Sequence, residues 1–292
     1  LLGLNIVAAE DGRIARAQVQ NNTLTDNLLG ITAIGLFDGI LNKLNISHNV
    51  VDGGGTKVLA SVLEDFLGPI PFEIPDFTLG GITVVGIDTD KMLDITIDNN
   101  LVKDHVLGIS ALGFGNVEMG DLRITNNTLE DNFLGVLVYG NGSDVEMRDA
   151  HIIGNTISGS GTQFIVDLAG PLFSLPPGTT VPDFGLAGVA VVSVDDARLN
   201  RFRVQDNVIS DQLVGVIGAA LLDGKINNGV ISGNTIDYGV LGIGAGGFFD
   251  GDAQNITITG NTLNGFGMDI MGGTSLGIFD LFTDKASVGI GV

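Results

Sequence analysis

The chain has 292 residues, of which 44% are hydrophobic and only 16% charged, so it has ample apolar surface for a core and is not a disordered chain. Its net charge of −21 excludes nucleic acid and anionic membrane surfaces as favourable partners, because the long-range field repels phosphate. The sequence contains no cysteine, so disulfides are excluded. It has no uninterrupted apolar run of about 18 residues, so no transmembrane helix is predicted.

An asparagine recurs along the chain at intervals of 27, 51, 27, 28, 52, 27 and 27 residues. The two long intervals equal one period plus 24 or 25 residues, so the repeat is about 27 residues with two insertions. A repeat of about 20 to 50 residues is typical of a solenoid or an array. The recurring asparagines are Asn22, Asn49, Asn100, Asn127, Asn155, Asn207, Asn234 and Asn261.

The neighbours of this asparagine are of fixed type. The residue three positions before it is β-branched, as in a buried strand, and the residue two positions after it is aliphatic. Eight positions after it, most repeats have a glycine that begins a further strand. The residue directly before it tolerates a left-handed backbone, which predicts a sharp turn between two strands. These turn residues are Asn21, His48, Asn99, Asn126, Gly154, Asp206, Gly233 and Gly260.

This pattern resembles the right-handed parallel β-helix repeat of the pectate-lyase-like superfamily, in which one turn carries an internal asparagine ladder. The resemblance extends from about residue 15 to about residue 275. It implies an all-β fold, a right-handed parallel β-helix of about eight to nine coils, as a single domain over residues 1–292. We expect each asparagine side chain to bond its counterpart in the next coil, about 4.8 Å away.

The two long intervals predict loop insertions at about residues 57–80 and 163–187. Both contain Gly-Pro followed by Pro-Asp-Phe, and prolines are concentrated in them, as expected outside a hydrogen-bonded ladder. Asn49 and Asn155 are 106 residues apart, as are Asn155 and Asn261. This equality indicates that a block of three coils was duplicated.

The strand after the recurring glycine has outward positions that are apolar or small. A sheet that is apolar on both faces is normally buried on both faces. Two covers are compatible with the sequence, namely the two insertions or a second subunit. The mean hydropathy of +0.39 favours assembly. The outward residues include Thr32, Ile34, Val85, Ser110, Leu112, Leu137, Tyr139, Val192, Ile217 and Ala219.

The strand before the asparagine has polar outward positions, and it holds the candidate site residues. Asp94, Asp121 and Asp149 stand six positions before the asparagine, so we expect them in one column about 4.8 Å apart. They are candidate calcium ligands, because Ca²⁺ prefers oxygen atoms. Asp121, Asp149, Arg123 and His151 are candidate catalytic residues for acid–base chemistry on a sugar, as the resemblance implies for β-helix lyases and hydrolases.

A simpler interpretation of these columns is a solvated ladder of ion pairs, which contributes little stability per pair. A second acidic column follows the asparagine and is predicted to form a turn that aids solubility. Its members are Asp26, Asp104, Asp131 and Asp211. The three histidines stand on separate repeats without metal-ligand spacing. The sequence contains no P-loop, no nucleophile elbow and none of the best-known hydrolase or epimerase signatures of the superfamily.

The sequence therefore predicts a non-catalytic structural or adhesive module that self-associates into an oligomer or filament. We expect it to be extracellular or on a cell surface, with no cofactor unless the aspartate column binds Ca²⁺. Its expected partner is a further copy of itself. The alternative is a polysaccharide-active enzyme, a lyase or a glycoside hydrolase, with a polysaccharide as its partner.

Overall fold

A computed structural model describes residues 2–54, 78–161 and 183–265. These residues form parallel strands, and they contain no helix. The strands are β1 (Leu2–Ala9), β2 (Arg13–Ala15), β3 (Gln18–Gln20), β4 (Thr23–Thr25), β5 (Leu29–Leu36), β6 (Ile40–Ser47), β7 (Val50–Asp52), β8 (Thr78–Asp98), β9 (Leu101–Lys103), β10 (His105–Thr125), β11 (Thr128–Glu130), β12 (Leu134–Arg148), β13 (His151–Ile153), β14 (Thr156–Ser158), β15 (Gly185–Val194), β16 (Arg198–Asn200), β17 (Arg203–Gln205), β18 (Val208–Leu221), β19 (Lys225–Asn227), β20 (Val230–Ser232), β21 (Thr235–Phe248), β22 (Asp252–Gln254), β23 (Thr257–Thr259) and β24 (Thr262–Gly265).

The strands stack as a parallel β-solenoid of eight coils, and each coil has four sides. In the first coil, side 1 is residues 2–9, side 2 is residues 13–15, side 3 is residues 18–20 and side 4 is residues 23–25. Each side pairs in register with the same side of the next coil, as Leu2 does with Leu29 and Gln18 with Asn45. This all-β solenoid confirms the fold class that the repeat predicts.

Left-handed residues form the four corners between the sides. In the coil that begins at His105, corner 1 contains Gly115 with φ 76°, and corner 2 is Asp121 with φ 53°. Corner 3 is Asn126 with φ 52°, directly before the ladder residue, and corner 4 is Asp131 with φ 53°. Aspartate and asparagine tolerate this conformation better than other residues with side chains, which explains why they recur at the corners.

Inward side chains of all four sides fill one continuous core. Ile97, Ile124 and Val204 stand three positions before the ladder asparagine, and all three are fully buried. The core compensates for size between coils, since Phe202 stands beside Gly229, where a Cβ atom would lie 2.2 Å from its ring. Most of the core therefore consists of similar aliphatic residues stacked from coil to coil. Where a larger residue such as Phe202 interrupts a stack, a small residue in the neighbouring coil keeps the packing close.

The outward face of side 1 is covered in this fold. Ser110 and Thr83 face away from the core and are nevertheless buried, and so are Ala190 and Ala219, which do not belong to the core cluster. Leu112 and Tyr139 are half-buried. The cover is partial, because Val85 and Ile217 on this face are also half-buried and Val7 in the first coil is 48% exposed.

Most of the two predicted insertions falls on residues 55–77 and 162–182, which lie outside the described residues, and so does their proposed role as the cover of side 1. Strand β8 begins at Thr78 and β15 at Gly185, inside the predicted ranges 57–80 and 163–187.

Candidate functional site

The asparagine ladder is continuous through all eight coils. The Nδ2 of Asn100 donates to Oδ1 of Asn127 at 2.9 Å, and the backbone N–H of Asn100 donates to the same oxygen at 2.9 Å. Asn127 repeats this pattern toward Asn155 at 3.0 and 2.9 Å. The ladder thus joins the coils through side-chain amides, six of which are buried, and this row is structural. The same side-chain bond links Asn22 to Asn49, Asn49 to Asn100, Asn155 to Asn207, Asn207 to Asn234 and Asn234 to Asn261.

A second, shorter polar stack lies inside the turn after side 4. Thr78 Oγ1 is hydrogen-bonded to Nδ1 of His105, and the backbone N–H of His105 donates to Oδ1 of Asn132 at 3.1 Å. Nε2 of His105 faces the carbonyl oxygen of Val51 at 3.4 Å. Because a carbonyl can only accept, Nε2 carries the proton and Nδ1 accepts from the threonine. His105 is fully buried, and burial lowers its pKa to about 4.

Sequence reasoning missed this second stack, although a signal exists. Five positions after the ladder asparagine, the chain carries Asn27, His105, Asn132 and Gln212, all of which are polar. Thr78 follows the first insertion, so it does not stand five positions after Asn49, but it lies one period of 27 residues before His105. Asn132 repeats the ladder geometry, since its Nδ2 donates to the carbonyl of Val102 at 2.9 Å.

The candidate aspartates occupy corner 2, the left-handed bend between sides 2 and 3. Asp94, Asp121 and Asp149 have φ values of 56°, 53° and 56°. Arg16 and Lys43 occupy the same corner with φ values of 63° and 58°. These residues turn the chain between sides 2 and 3. Asp94 and Asp121 do so inside the long strands β8 and β10, and Asp149 directly follows β12. Their shared column is nevertheless real, because sides 2 and 3 of adjacent coils are in register.

Two of the three aspartates are engaged in ion pairs. Asp149 accepts two hydrogen bonds from Arg201, from Nε at 2.7 Å and from an Nη atom at 2.6 Å. This arginine lowers the pKa of Asp149, and burial opposes the shift. Oδ1 of Asp121 lies 3.7 Å from Nη2 of Arg123. The described residues contain no group of three histidine or acidic side chains placed to hold a metal ion, so calcium binding by Asp94, Asp121 and Asp149 stays a prediction.

The cationic candidates do stack on side 3. Arg123 pairs in register with His151, and His151 pairs with Arg203 in the next coil. Burial lowers the pKa of His151, and the charges of both arginines lower it further. His151 lies between the two arginines in the stack. The structure brings Arg123, His151, Asp121 and Asp149 to adjacent positions, but it does not test a catalytic role for them.

The second acidic column lies at corner 4. Asp26, Asp104, Asp131 and Asp211 have φ values of 59°, 61°, 53° and 53°, so they turn the chain between sides 4 and 1. Burial is the main cause of the raised pKa of Asp104. His48 occupies corner 3 with φ 57°, and this is the turn position that the repeat predicts for it.

Comparison of the chain with protein-family models, with curated proteins and with solved structures found no match. A search of the described residues for long apolar helices found no candidate membrane span. The assignment of function therefore depends on the geometry of the coils.

Proposed function

We propose that the chain is a non-catalytic, extracellular or cell-surface module that self-associates through the repeating surfaces of its solenoid. The observation that supports this proposal is the regularity of the eight coils. Each side of a coil pairs in register with the same side of the next coil, so surface positions recur at the coil spacing and neighbouring coils can contact one partner side by side. Repeat solenoids use such extended surfaces for binding.

We also propose that the chain is related to the pectate-lyase-like superfamily. Its support is the pairing of a parallel solenoid with an internal asparagine ladder in all eight coils. Because the chain carries a net charge of −21, a polyanionic polysaccharide would need bridging cations to approach it.

Sedimentation of the purified chain at increasing concentration, with electron microscopy of the same sample, tests self-association. We expect oligomers or filaments to form in the micromolar range, with or without calcium. A chain that stays monomeric at high micromolar concentration, both with Ca²⁺ and with a chelator, would contradict the proposal.

The second candidate function is a polysaccharide lyase or hydrolase. The observation that favours it is the register of Arg123 and His151 on side 3, next to Asp121 and Asp149 at corner 2. A lyase makes an unsaturated sugar that absorbs in the near ultraviolet, and a hydrolase releases reducing ends. If neither signal appears on a panel of uronate and neutral glycans, the enzyme is ruled out for those substrates.

A further inference from the structure

Within the described ranges, the basic residues are concentrated on one part of the surface. Of the eleven lysines and arginines in the described ranges, ten lie on side 2, on side 3 or at corner 2 between them, and the other is Lys103 on side 4. We call these three elements the basic surface. Its cations are Arg13, Arg16, Lys43, Lys91, Arg123, Arg148, Arg198, Arg201, Arg203 and Lys225.

The basic surface is net positive on an acidic protein. Seven acidic residues share it with the ten cations, so it carries +3 although the whole chain carries −21. These acids are Asp94, Asp98, Glu118, Asp121, Glu146, Asp149 and Asp252. The separation of charge follows from the solenoid, which gathers residues 27 or more positions apart onto one side.

Three cations on two neighbouring coils are available for a partner. Arg198 pairs in register with Lys225 on side 2, and Arg203 lies on side 3 of the same coil as Arg198. Both arginines are exposed. The ion pairs within the described ranges involve none of these three side chains, whereas Arg148 and Arg201 are paired with Glu118 and Asp149.

Corner 1 forms a complementary row, which we call the acidic ridge. In several coils it is a tight turn with two left-handed residues, such as Asp195 at φ 55° and Asp196 at φ 64°. Nine acidic residues stand at corner 1. All nine are exposed, and none takes part in an ion pair within the described ranges. The ridge consists of Glu10, Asp11, Asp38, Asp88, Asp144, Asp195, Asp196, Asp223 and Asp250.

We propose that a second copy of the chain places its acidic ridge on the basic surface of the first. This contact rests on the proposed self-association, and it assigns the two surfaces that meet. Both rows belong to the same solenoid, so both repeat at the coil spacing of about 4.8 Å. If one carboxylate of the ridge lies opposite one cation of the basic surface, the charged residues of the adjacent coils are therefore aligned as well.

The two surfaces are different parts of the molecule, so the contact is heterologous. Each copy that donates its ridge keeps its own basic surface free for another copy. Heterologous contacts that do not close into a ring generate open assemblies. The arrangement therefore leads to lateral arrays or fibres whose growth is not limited to a dimer.

Salt affects this contact in two opposite directions. Two copies that each carry −21 repel at long range, and salt at about 0.15 M, with a Debye length of about 8 Å, screens that repulsion. Close pairs at the contact are screened less at this ionic strength but are lost toward about 1 M salt. We therefore expect association to pass through a maximum at intermediate salt.

Paired charge reversal tests the contact. The first variant reverses the free cations (Arg198→Glu, Arg203→Glu, Lys225→Glu), and the second reverses part of the ridge (Asp195→Lys, Asp196→Lys, Asp223→Lys). Lysine is compatible with a left-handed corner, since Lys43 already occupies one at φ 58°. We expect each variant alone to associate at least about tenfold more weakly than wild type, and an equimolar mixture to regain association in sedimentation.

A matched control reverses the same number of charges at corner 4 (Asp26→Lys, Asp131→Lys, Asp211→Lys), and this variant should associate like the wild type. Circular dichroism confirms folding, and glutamine or asparagine at the same positions replaces any variant that does not fold. Unchanged association of both ridge and cation variants, or association that rises steadily up to about 1 M salt, would overturn the charge contact and leave self-association intact. A wild-type chain that is monomeric at every salt concentration would overturn the proposed function itself.

Discussion

At the scale of single residues, the side-chain amide of Asn127 is fully used. Its Nδ2 donates to the carbonyl of Ile97 at 2.9 Å and to Oδ1 of Asn155 at 3.0 Å. Its Oδ1 accepts from both the backbone N–H and the Nδ2 of Asn100. Two coils therefore depend on one buried amide, and no smaller side chain can supply these bonds.

Replacement of Asn127 by alanine should destabilise the chain strongly, because it leaves the N–H of Asn100 and the carbonyl of Ile97 buried without these partners. We expect a loss of about 3 kcal/mol in the free energy of unfolding, measured by denaturant titration. Asn22→Ala is the control from the same column. Its Nδ2 donates to Asn49, but Asn22 is half-exposed in the first described coil, so the loss should be about 1 kcal/mol. Equal losses in the two variants would contradict this account.

His105 should make stability depend on pH. Burial lowers its folded-state pKa to about 4, while the unfolded chain titrates near 6.5, so between these values the unfolded state binds more protons. Stability from this group is complete above pH 6.5 and is lost as the pH falls toward 4, by up to about 3 kcal/mol.

The difference between wild type and His105→Gln isolates this effect, because the other titrating groups are common to both chains. Urea titrations at intervals between pH 7 and pH 4 provide the measurement. A difference in unfolding free energy that stays constant over this range would show that His105 does not titrate as proposed.

At the scale of the repeating element, two sequence columns explain each other. A Cβ atom on Gly135 would lie 2.5 Å from the carbonyl oxygen of Gly188 in the next coil and 2.5 Å from Cγ2 of Ile157. Gly215 meets the same two kinds of neighbour, the oxygen of Gly242 at 2.5 Å and Cγ2 of Ile236 at 2.3 Å. The aliphatic residue after the ladder fills the space that the recurring glycine leaves empty.

Gly135→Ala should therefore destabilise the solenoid by about 2 to 3 kcal/mol, because backbone atoms block the added methyl group. Gly218→Ala, also on side 1, is the matched control, since its Cβ would meet nothing closer than 3.5 Å. We expect this control to be neutral within about 0.5 kcal/mol. Thermal unfolding of the two variants measures the difference, and a Gly218 variant that is the less stable of the two would refute the steric argument.

At the scale of the whole molecule, every coil contacts mainly its two neighbours, so stability is distributed along one axis. The ladder amides of the central coils are buried, whereas Asn22 and Asn261 in the first and last described coils are half-exposed. Backbone hydrogen exchange should follow this gradient. We expect the backbone N–H groups of Asn100, Asn127 and Asn155 to exchange most slowly. Mass spectrometry of exchanged peptides measures it, and uniform protection of all eight coils would contradict the expectation.

The sequence alone determined the solenoid, its ladder and the corner that precedes the ladder. Its repeat period equals the length of one coil, so residues of the same phase become vertical neighbours and need the same chemistry. Asn126 and Gly154 are residue types that favour a left-handed backbone, so the sequence predicts a corner there. Arg16 and Lys43 also adopt a left-handed backbone, but arginine and lysine do not indicate one. For this reason the sequence predicts the column that contains Asp121 but not the bend that this residue forms inside β10.

Only the tertiary structure decided what lies side by side around a coil. A period says which residues stack, but not how many corners divide the 27 residues or which sides adjoin. The contact between His105 and the carbonyl oxygen of Val51 joins residues that lie on opposite sides of the first insertion in the sequence. The basic surface and the acidic ridge likewise exist only once four corners have sorted the charges onto separate sides, because electrostatic complementarity depends on distances in space and not on spacing along the chain.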